Sequence, residues 1–274
     1  MAIKVGLRFL PPFTFAGISF LMSTLCILPI MKLLHKRLPK DRRSWEVMIF
    51  LGLMMMGVGY GFQYWGEQYV SSGLAGVLFA TAPIFVVAFA HMLIPDEKMT
   101  RWKALGIAIS FGGTVIIFWR GLTLVFGSNI QLSLFGAMAE VASAAVTALA
   151  IVVYKRFYAE IDRIANLLVQ TIIGSAFLLI LGMVFERSSS FDFTPLAIVA
   201  IIYLGLVSAF PFIGYYWLLE NSSIISASMI TFVTPVLALI LGWVLLGEPV
   251  SAYTIVGGSL ILIGVYLTAG FVGS

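Results

Sequence analysis

Apolar and polar residues alternate along this chain in long blocks. Nine apolar stretches lie near 11–31, 45–66, 70–94, 102–119, 132–154, 164–185, 195–219, 223–246 and 252–272, joined by short polar connections. A helix needs about 20 residues to cross the hydrocarbon core of a bilayer. Each stretch therefore predicts one membrane-spanning helix, and the connections are too short to hold a separate soluble domain.

The blocks repeat. Tyr64-Trp65 recurs as Tyr216-Trp217, Ala75 as Ala227 and Pro83 as Pro235, all 152 residues apart. After a one-residue gap, Glu97, Thr100, Trp102, Gly106 and Gly113 meet Glu248, Ser251, Tyr253, Gly257 and Gly264 at a spacing of 151. Two copies of one membrane unit are the usual trace of a transporter with its substrate site between the halves. The copies divide the chain into units at 1–127 and 128–274. The second holds five predicted helices, the first four and a stub, Ala2 to Phe9, which aligns with 150–157 at a spacing of 148. The expected architecture is all-α: a ten-helix parent of two five-helix repeats, its first helix truncated to leave nine full spans. A start codon assigned too late is the simpler explanation of the stub; a genuine nine-helix protein is the other. An odd number of helices per repeat makes the two halves inverted.

Composition narrows the class. With 61% hydrophobic and 10% charged residues, the chain lacks the polar surface of a soluble domain. The net charge of +4 reflects basic loops rather than nucleic-acid binding. Lys32, Lys36, Arg37, Lys40, Arg42 and Arg43 follow the first full span, Lys98, Arg101 and Lys103 the third, and Lys155, Arg156 and Arg163 the fifth. If spans alternate, these share one face, which the positive-inside rule makes cytoplasmic, and the C-terminus falls on the same side. The expected location is the inner membrane, multi-pass. Cys26 stands alone, so no intramolecular disulfide is possible. His35 and His91 have no metal-ligand companions, no phosphate-binding glycine loop is present, and no paired acids or nucleophile–base motif lies in the spans. Neither an enzyme, a metal site nor a bound cofactor is expected.

The segments 2–20 (AIKVGLRFLPPFTFAGISF), 61–89 (GFQYWGEQYVSSGLAGVLFATAPIFVVAF), 104–117 (ALGIAISFGGTVII), 215–248 and 256–267 carry a resemblance to the EamA family of the drug/metabolite transporter superfamily. It covers essentially the whole chain. It implies a ten-helix inverted-repeat secondary transporter of small organic metabolites, amino acids or related amines and drugs, and efflux is favoured through the resemblance alone. Two departures are the truncated first helix and Ser19, where the family often has an arginine.

Glu140 is the sharpest candidate residue. It is the ninth residue of the stretch 132–154, about 4–5 Å from the helix centre. Intramembrane acids face a cavity, pair, or stay protonated. Ser143 and Thr147 follow on the same face of an Ala-rich helix. Glu140 is expected to bind a substrate ammonium, a proton as coupling ion, or each in turn; otherwise it only hydrogen-bonds a neighbouring helix. Tyr60, Gln63, Phe210 and Tyr215 lie a turn or more inside two matching aromatic clusters, as cavity lining or as part of an interfacial belt, while Trp65 and Trp217 read as that belt. Pro83 and Pro235, at equivalent mid-span positions, are candidate hinges or static bends. The glycine pairs 106/113 and 257/264 each mark one close-packing helix face. Thr100 and Ser251 are expected N-caps beside Glu97 and Glu248.

The expected partners are a small-molecule metabolite and the lipid bilayer. A nucleotide-sugar or organic-phosphate carrier would want Lys or Arg deep in a span, and no complete span has one. A non-transporting paralogue or assembly partner is the rival from a different class, made plausible by the truncated helix.

Overall fold

The structure is a computed structural model that describes residues 2–94, 97, 99–123, 130–157, 161–187, 189, 191–234, 236–237 and 252–270. Among these residues it is helical throughout, with no strand. The helices are α1 (Ala2–Gly6), α2 (Pro12–Leu33), α3 (Arg42–Leu51), a π-helical segment (Gly52–Gly59), α4 (Tyr60–Gly66), α5 (Ser72–Phe79), α6 (Ala82–Leu93), α7 (Arg101–Thr123), α8 (Ile130–Phe157), α9 (Arg163–Phe185), α10 (Pro195–Asn221), α11 (Ile224–Ser228) and α12 (Ala252–Gly270).

Six described stretches are long and apolar enough to cross a bilayer: Pro12–Leu33, Arg42–Gly66, Ser72–Leu93, Gln131–Phe157, Arg163–Phe185 and Pro195–Asn221. Ile224–Thr234 and Ala252–Thr268 are shorter apolar helices. The expected spans 102–119 and 252–272 correspond to α7 and α12, and 223–246 is described only in its first part.

Local chemistry sets the helix starts. Side chains one residue outside the helix accept its first free N–H groups. Asp41 accepts from Ser44 N at 2.7 Å, Ser71 from Leu74 N at 3.2 Å, and Thr194 from Ala197 N at 3.2 Å. Thr100 accepts from Lys103 N at 3.2 Å, as its position predicts; Ser251 lies outside the described residues. Near its middle, the span Ser72–Leu93 breaks at Ala80–Thr81, and Pro83 falls in the first turn of α6, where its missing N–H costs nothing. The span Arg42–Gly66 is continuous but changes to π-helix over its glycine- and methionine-rich middle.

Small residues bring the helices together, as expected where lipid supplies no hydrophobic drive. A Cβ on Gly106 or Gly113 would run into the Gly264 or Gly257 carbonyl, and the reverse holds for Gly264 and Gly257. The contacts of α7 on α12 and of α12 on α7 thus mirror each other. Elsewhere hydroxyls bond across helices. Ser175 Oγ donates to Gly17 O at 2.8 Å, Ser23 Oγ to Gly205 O at 2.8 Å, and Thr24 Oγ1 to Thr171 Oγ1 at 2.9 Å, tying α2 to α9 and α10.

The helix ends sort into two faces. On one, Lys36 pairs with Asp162 at 2.8 Å and Lys155 donates to Ser222 O at 3.1 Å, so the ends of α2, α8 and α10 lie beside the start of α9. On the other, Asp192 N donates to Phe9 O at 3.1 Å, and the Glu186 carboxylate accepts from Phe13 N at 2.7 Å, Thr14 N at 2.9 Å and Thr14 Oγ1 at 2.6 Å. A buried anion thereby caps the start of α2 from 172 residues away.

Candidate substrate site

Helix α8 places Gly136, Glu140, Ser143 and Thr147 on one face, at steps of four, three and four residues. That face lies against the end of the span Arg42–Gly66, which presents Gly59, Gln63 and Gly66 at steps of four and three. The two run antiparallel. A Cβ built on Gly66 would stand 2.9 Å from Gly136 O and 3.2 Å from Glu140 Oε1, and one on Gly59 would stand 3.0 Å from Thr147 Oγ1. The glycines let the polar stripe of α8 approach the opposing backbone directly.

The result is a closed polar seam. Glu140 and Ser143 are fully buried and Thr147 nearly so. Both carboxylate oxygens of Glu140, Ser143 Oγ, Thr147 Oγ1, Gln63 Oε1 and Glu67 Oε2 are buried without a hydrogen-bond partner. An unpartnered buried polar atom costs on the order of 1–3 kcal/mol, and native proteins leave few of them. Six in one seam mark a place not selected for stability alone. Glu140 is thus enclosed, with no hydrogen-bond partner on either carboxylate oxygen. The surface cleft of about 450 Å³ on the Phe9–Glu186 face is lined by residues such as Arg8, Phe13, Trp65 and Glu186, and not by Glu140.

Glu67 caps the seam at the end of α4. Its position just beyond an apolar stretch hid it from a search for acids deep in the spans. It is buried, and that burial pushes its carboxyl above the usual range. Beside it, Lys4 of α1 donates to the carbonyls of Glu67 at 2.5 Å, Gln68 at 3.2 Å and Val70 at 2.7 Å, closing the C-terminal end of the helix with a cation.

A second polar cluster occupies the opposite face. Tyr216 donates to Gln170 Oε1 at 2.7 Å, Tyr154 packs on Tyr216 with ring centroids 4.6 Å apart, and Tyr154 donates to Glu220 Oε1 at 3.1 Å. Arg163 pairs with Glu220 at 2.8 Å, and Lys155 donates to the carbonyls of Leu219 and Ser222. Lys155 thus does for α10 what Lys4 does for α4. The two lysines are 151 residues apart, and the carbonyls of 67 and 70 are 152 from those of 219 and 222. The spacing of 148 read from the stub's residue types therefore differs by three from the spacing at which contacts correspond. Asn166 and Gln170, four apart and buried in α9, were visible as polar residues in an apolar span and were missed. Glu220 and Glu186 had no local signal, since their partners are distant in sequence.

The aromatic candidates divide. Tyr60 meets Phe20 edge-on at 5.0 Å and Phe212 at 6.1 Å, which joins the two sequence repeats at the molecule's centre. Tyr215 is half-buried. Phe210 is 58% exposed, on a stripe of α10 with Tyr203, Leu206 and Trp217. Trp65 packs on Tyr69 at 5.0 Å. Pro235 lies outside the described residues, so the pairing of hinges has a described member only in Pro83.

The profile of the EamA-like transporter family matches residues 1–119 and 134–270. The chain is 31% identical over 270 residues to the uncharacterized transporter YoaV of Bacillus subtilis, covering 97% of this chain and 90% of that one. It is 27% identical over 251 residues to the uncharacterized inner membrane transporter YedA of Escherichia coli K12, covering 91% and 78%. A solved crystal structure at 18% identity superposes with a TM-score of 0.80, covering 96% of this chain and 90% of that one, and speaks to the fold alone.

Proposed function

The chain belongs to the EamA-like transporter family of the drug/metabolite transporter superfamily, and we propose that it exports small organic metabolites carrying a protonated amine, which Glu140 meets. It is an integral membrane transporter and not an enzyme. The observation that carries the substrate reading is the seam itself. A fully buried carboxylate with two unpartnered oxygens, followed along its helix by the unpartnered hydroxyls of Ser143 and Thr147, is a ready set of acceptors for an ammonium group. No Lys or Arg lies deep in a complete span, which disfavours a phosphate-bearing substrate.

In this reading the two five-helix repeats are inverted and rock about the site to give alternating access. The mirrored α7–α12 contacts and the matched lysine caps support that arrangement. Tyr60, Gln63 and Tyr215 line the path beside Glu140, whereas Phe210 faces outward and is left out. Thr81 and Pro83, where the span Ser72–Leu93 breaks, act as hinge, with Pro235 as the counterpart. The face carrying Lys36 and Lys155 is cytoplasmic, the C-terminus lies on that side, and the membrane is the inner one.

Flux into proteoliposomes, with a panel of amino acids and organic amines and with or without a pH gradient, tests this. Transport of at least one amine is expected, and Glu140→Gln, nearly isosteric, is expected to lower it about tenfold or more. Unchanged flux and pH dependence in Glu140→Gln removes that residue from the mechanism.

A further inference from the structure

On the face where Lys36 meets Asp162, a cleft of about 610 Å³ opens between the connection after α2 and the end of α8. Its walls carry four cations, Arg37, Arg43, Lys155 and Arg156, against two carboxylates, Asp41 and Asp162. Neither Glu140 nor any other member of the polar seam lines it. Topology explains why basic residues gather on one face of a membrane protein. It does not explain why so many of them border one concave cleft.

The charges around the cleft are not equally free. Asp162 accepts from Ile164 N at 3.0 Å and Ala165 N at 3.2 Å, and pairs with Lys36 at 2.8 Å. Asp41 accepts from Ser44 N at 2.7 Å. Ser44 is the main cause of the Asp41 carboxyl lying below its usual range, and the charge of Arg43 is the smallest of the causes. Each acid is thus used at a helix start, Asp41 at α3 and Asp162 at α9. Lys155 is also committed, to the carbonyls of Leu219 and Ser222. Nearby, Arg42 pairs with Glu46 at 2.7 Å. Arg37, Arg43 and Arg156 remain. Among the described residues none of these three forms an ion pair. All three are exposed, so a ligand reaches them without a change of fold.

Three guanidinium groups suit an oxyanion with several oxygens. Each planar fork can donate two parallel N–H bonds, and phosphate offers enough oxygens for more than one fork. A carboxylate, with two oxygens, is filled by one. The cleft has the size of a small-molecule site, which runs from about 300 to 1,000 Å³. Its place in the fold narrows the source. It lies where the spans Pro12–Leu33 and Gln131–Phe157 end and Arg42–Gly66 and Arg163–Phe185 begin, level with the surface of a bilayer. The exposed apolar ring of Phe157 stands in its wall. Anionic headgroups lie at that level and are drawn to basic residues there.

We propose that the cleft bordered by Arg37, Arg43 and Arg156 binds a phosphate group, supplied by the headgroup of an anionic phospholipid in the adjoining leaflet. Arg37 and Arg43 belong to the first sequence repeat and Arg156 to the second. The bound phosphate therefore joins the two repeats at this face and reinforces the Lys36–Asp162 pair, which links the same parts. The site is separate from the substrate seam and does not depend on the role of Glu140.

Native mass spectrometry of the full-length protein, released from vesicles of mixed phosphatidylglycerol and phosphatidylcholine, tests the site. The wild type is expected to keep one phosphatidylglycerol per chain in preference to phosphatidylcholine. The double variant Arg37→Gln, Arg156→Gln is expected to weaken that retention about tenfold or more. Lys32→Gln, Arg101→Gln removes the same charge from residues that do not line the cleft, and is expected to leave retention unchanged. Equal losses in the two double variants overturn the site, because charge anywhere on the face would then suffice. A second arm separates the lipid from soluble phosphate. In neutral detergent without phospholipid, inorganic phosphate is expected to raise the melting temperature of the wild type and not that of the arginine variant. If it does so while no phosphatidylglycerol is retained, the phosphate site stands with a soluble ligand. A wild type that neither prefers phosphatidylglycerol nor responds to phosphate overturns it, and these wild-type measurements hold even if the arginine variant fails to fold.

Discussion

The two polar clusters at opposite faces are built from corresponding parts of the sequence and answer their charged groups differently, although Asn166 Oδ1 and Nδ2 and Gln170 Nε2 beside the first also lack partners. At one, Lys155, Tyr154, Tyr216, Arg163 and Glu220 satisfy one another through ion pair, hydroxyl and carbonyl contacts. At the other, Lys4 closes its helix in the same manner, but Glu67, Gln63 and Glu140 are buried with oxygens that bond to nothing. The comparison separates two uses of a buried charge. A carboxylate with its donors in place braces the fold; one without them stores a demand that a ligand or proton can meet. Position in a span does not distinguish the two. The partner does.

Removing one polar side chain from each cluster is the strongest way to break this distinction. Glu220→Ala strips the partner from Arg163 and the acceptor from Tyr154, and thermal unfolding in detergent is expected to show a loss of about 1–2 kcal/mol, moderated by the partial exposure of the ion pair. Ser143→Ala, though fully buried, breaks no bond and is expected to change stability by less than about 0.5 kcal/mol while reducing amine flux. Equal losses of stability in the two variants would erase the contrast.

The lysine caps sharpen the comparison with a smaller effect. Lys155→Met and Lys4→Met each remove a cation from a helix C-terminus, worth about 0.5–1 kcal/mol. They should differ in pH dependence. Lys4 also faces Glu67, whose carboxyl burial pushes up. Its removal therefore costs most at high pH, where Glu67 is ionised, and least where Glu67 is protonated. Parallel pH profiles for the two variants would mean that Glu67 does not sense Lys4.

The smallest effect belongs to the rim of the braced end. Burial works against the charge of Asp162, but the Lys36 ammonium and the Ala165 N–H prevail and hold its carboxyl below the usual range. A carboxyl lowered on folding stabilises the protein above its unfolded value, near pH 4, and loses that contribution as pH falls through the folded value. Asp162→Asn is expected to lower the melting temperature slightly at pH 7, and the gap to wild type should close in acid.

Much of the fold was legible because each sequence signal had a local cause. Apolar stretches of sufficient length predicted the spans, Thr100 its cap, and the glycine pairs their close approach, since each depends on residues a turn or two apart. Six of the predicted stretches contain clear spans, and the short helices show why hydropathy draws firmer boundaries than backbone geometry does. The break at Ala80–Thr81 was foreshadowed by Pro83, but the π-helical middle of Arg42–Gly66 was not, because a change in helical pitch depends on what the neighbouring α9 presents to Gly52 and Gly57. Of the candidate residues, Glu140, Ser143, Thr147 and Gln63 come together in one seam, Tyr60 and Tyr215 lie toward the centre, and Phe210 turns outward.

By itself the sequence determined that this is a polytopic helical membrane protein, which family it resembles, and that one acid lies deep in a span. Those conclusions rest on composition, periodicity and repetition along the chain. Only the tertiary structure decided which charges are answered. Glu186, Glu220 and Glu67 are alike as sequence, each near the end of an apolar stretch. Their roles diverge because Thr14 reaches the first, Arg163 reaches the second, and the third keeps a buried carboxylate oxygen with no partner. Electrostatic and hydrogen-bond energies fall off over a few ångströms, so they depend on neighbours in space, and those neighbours are dozens to more than a hundred residues away along the chain.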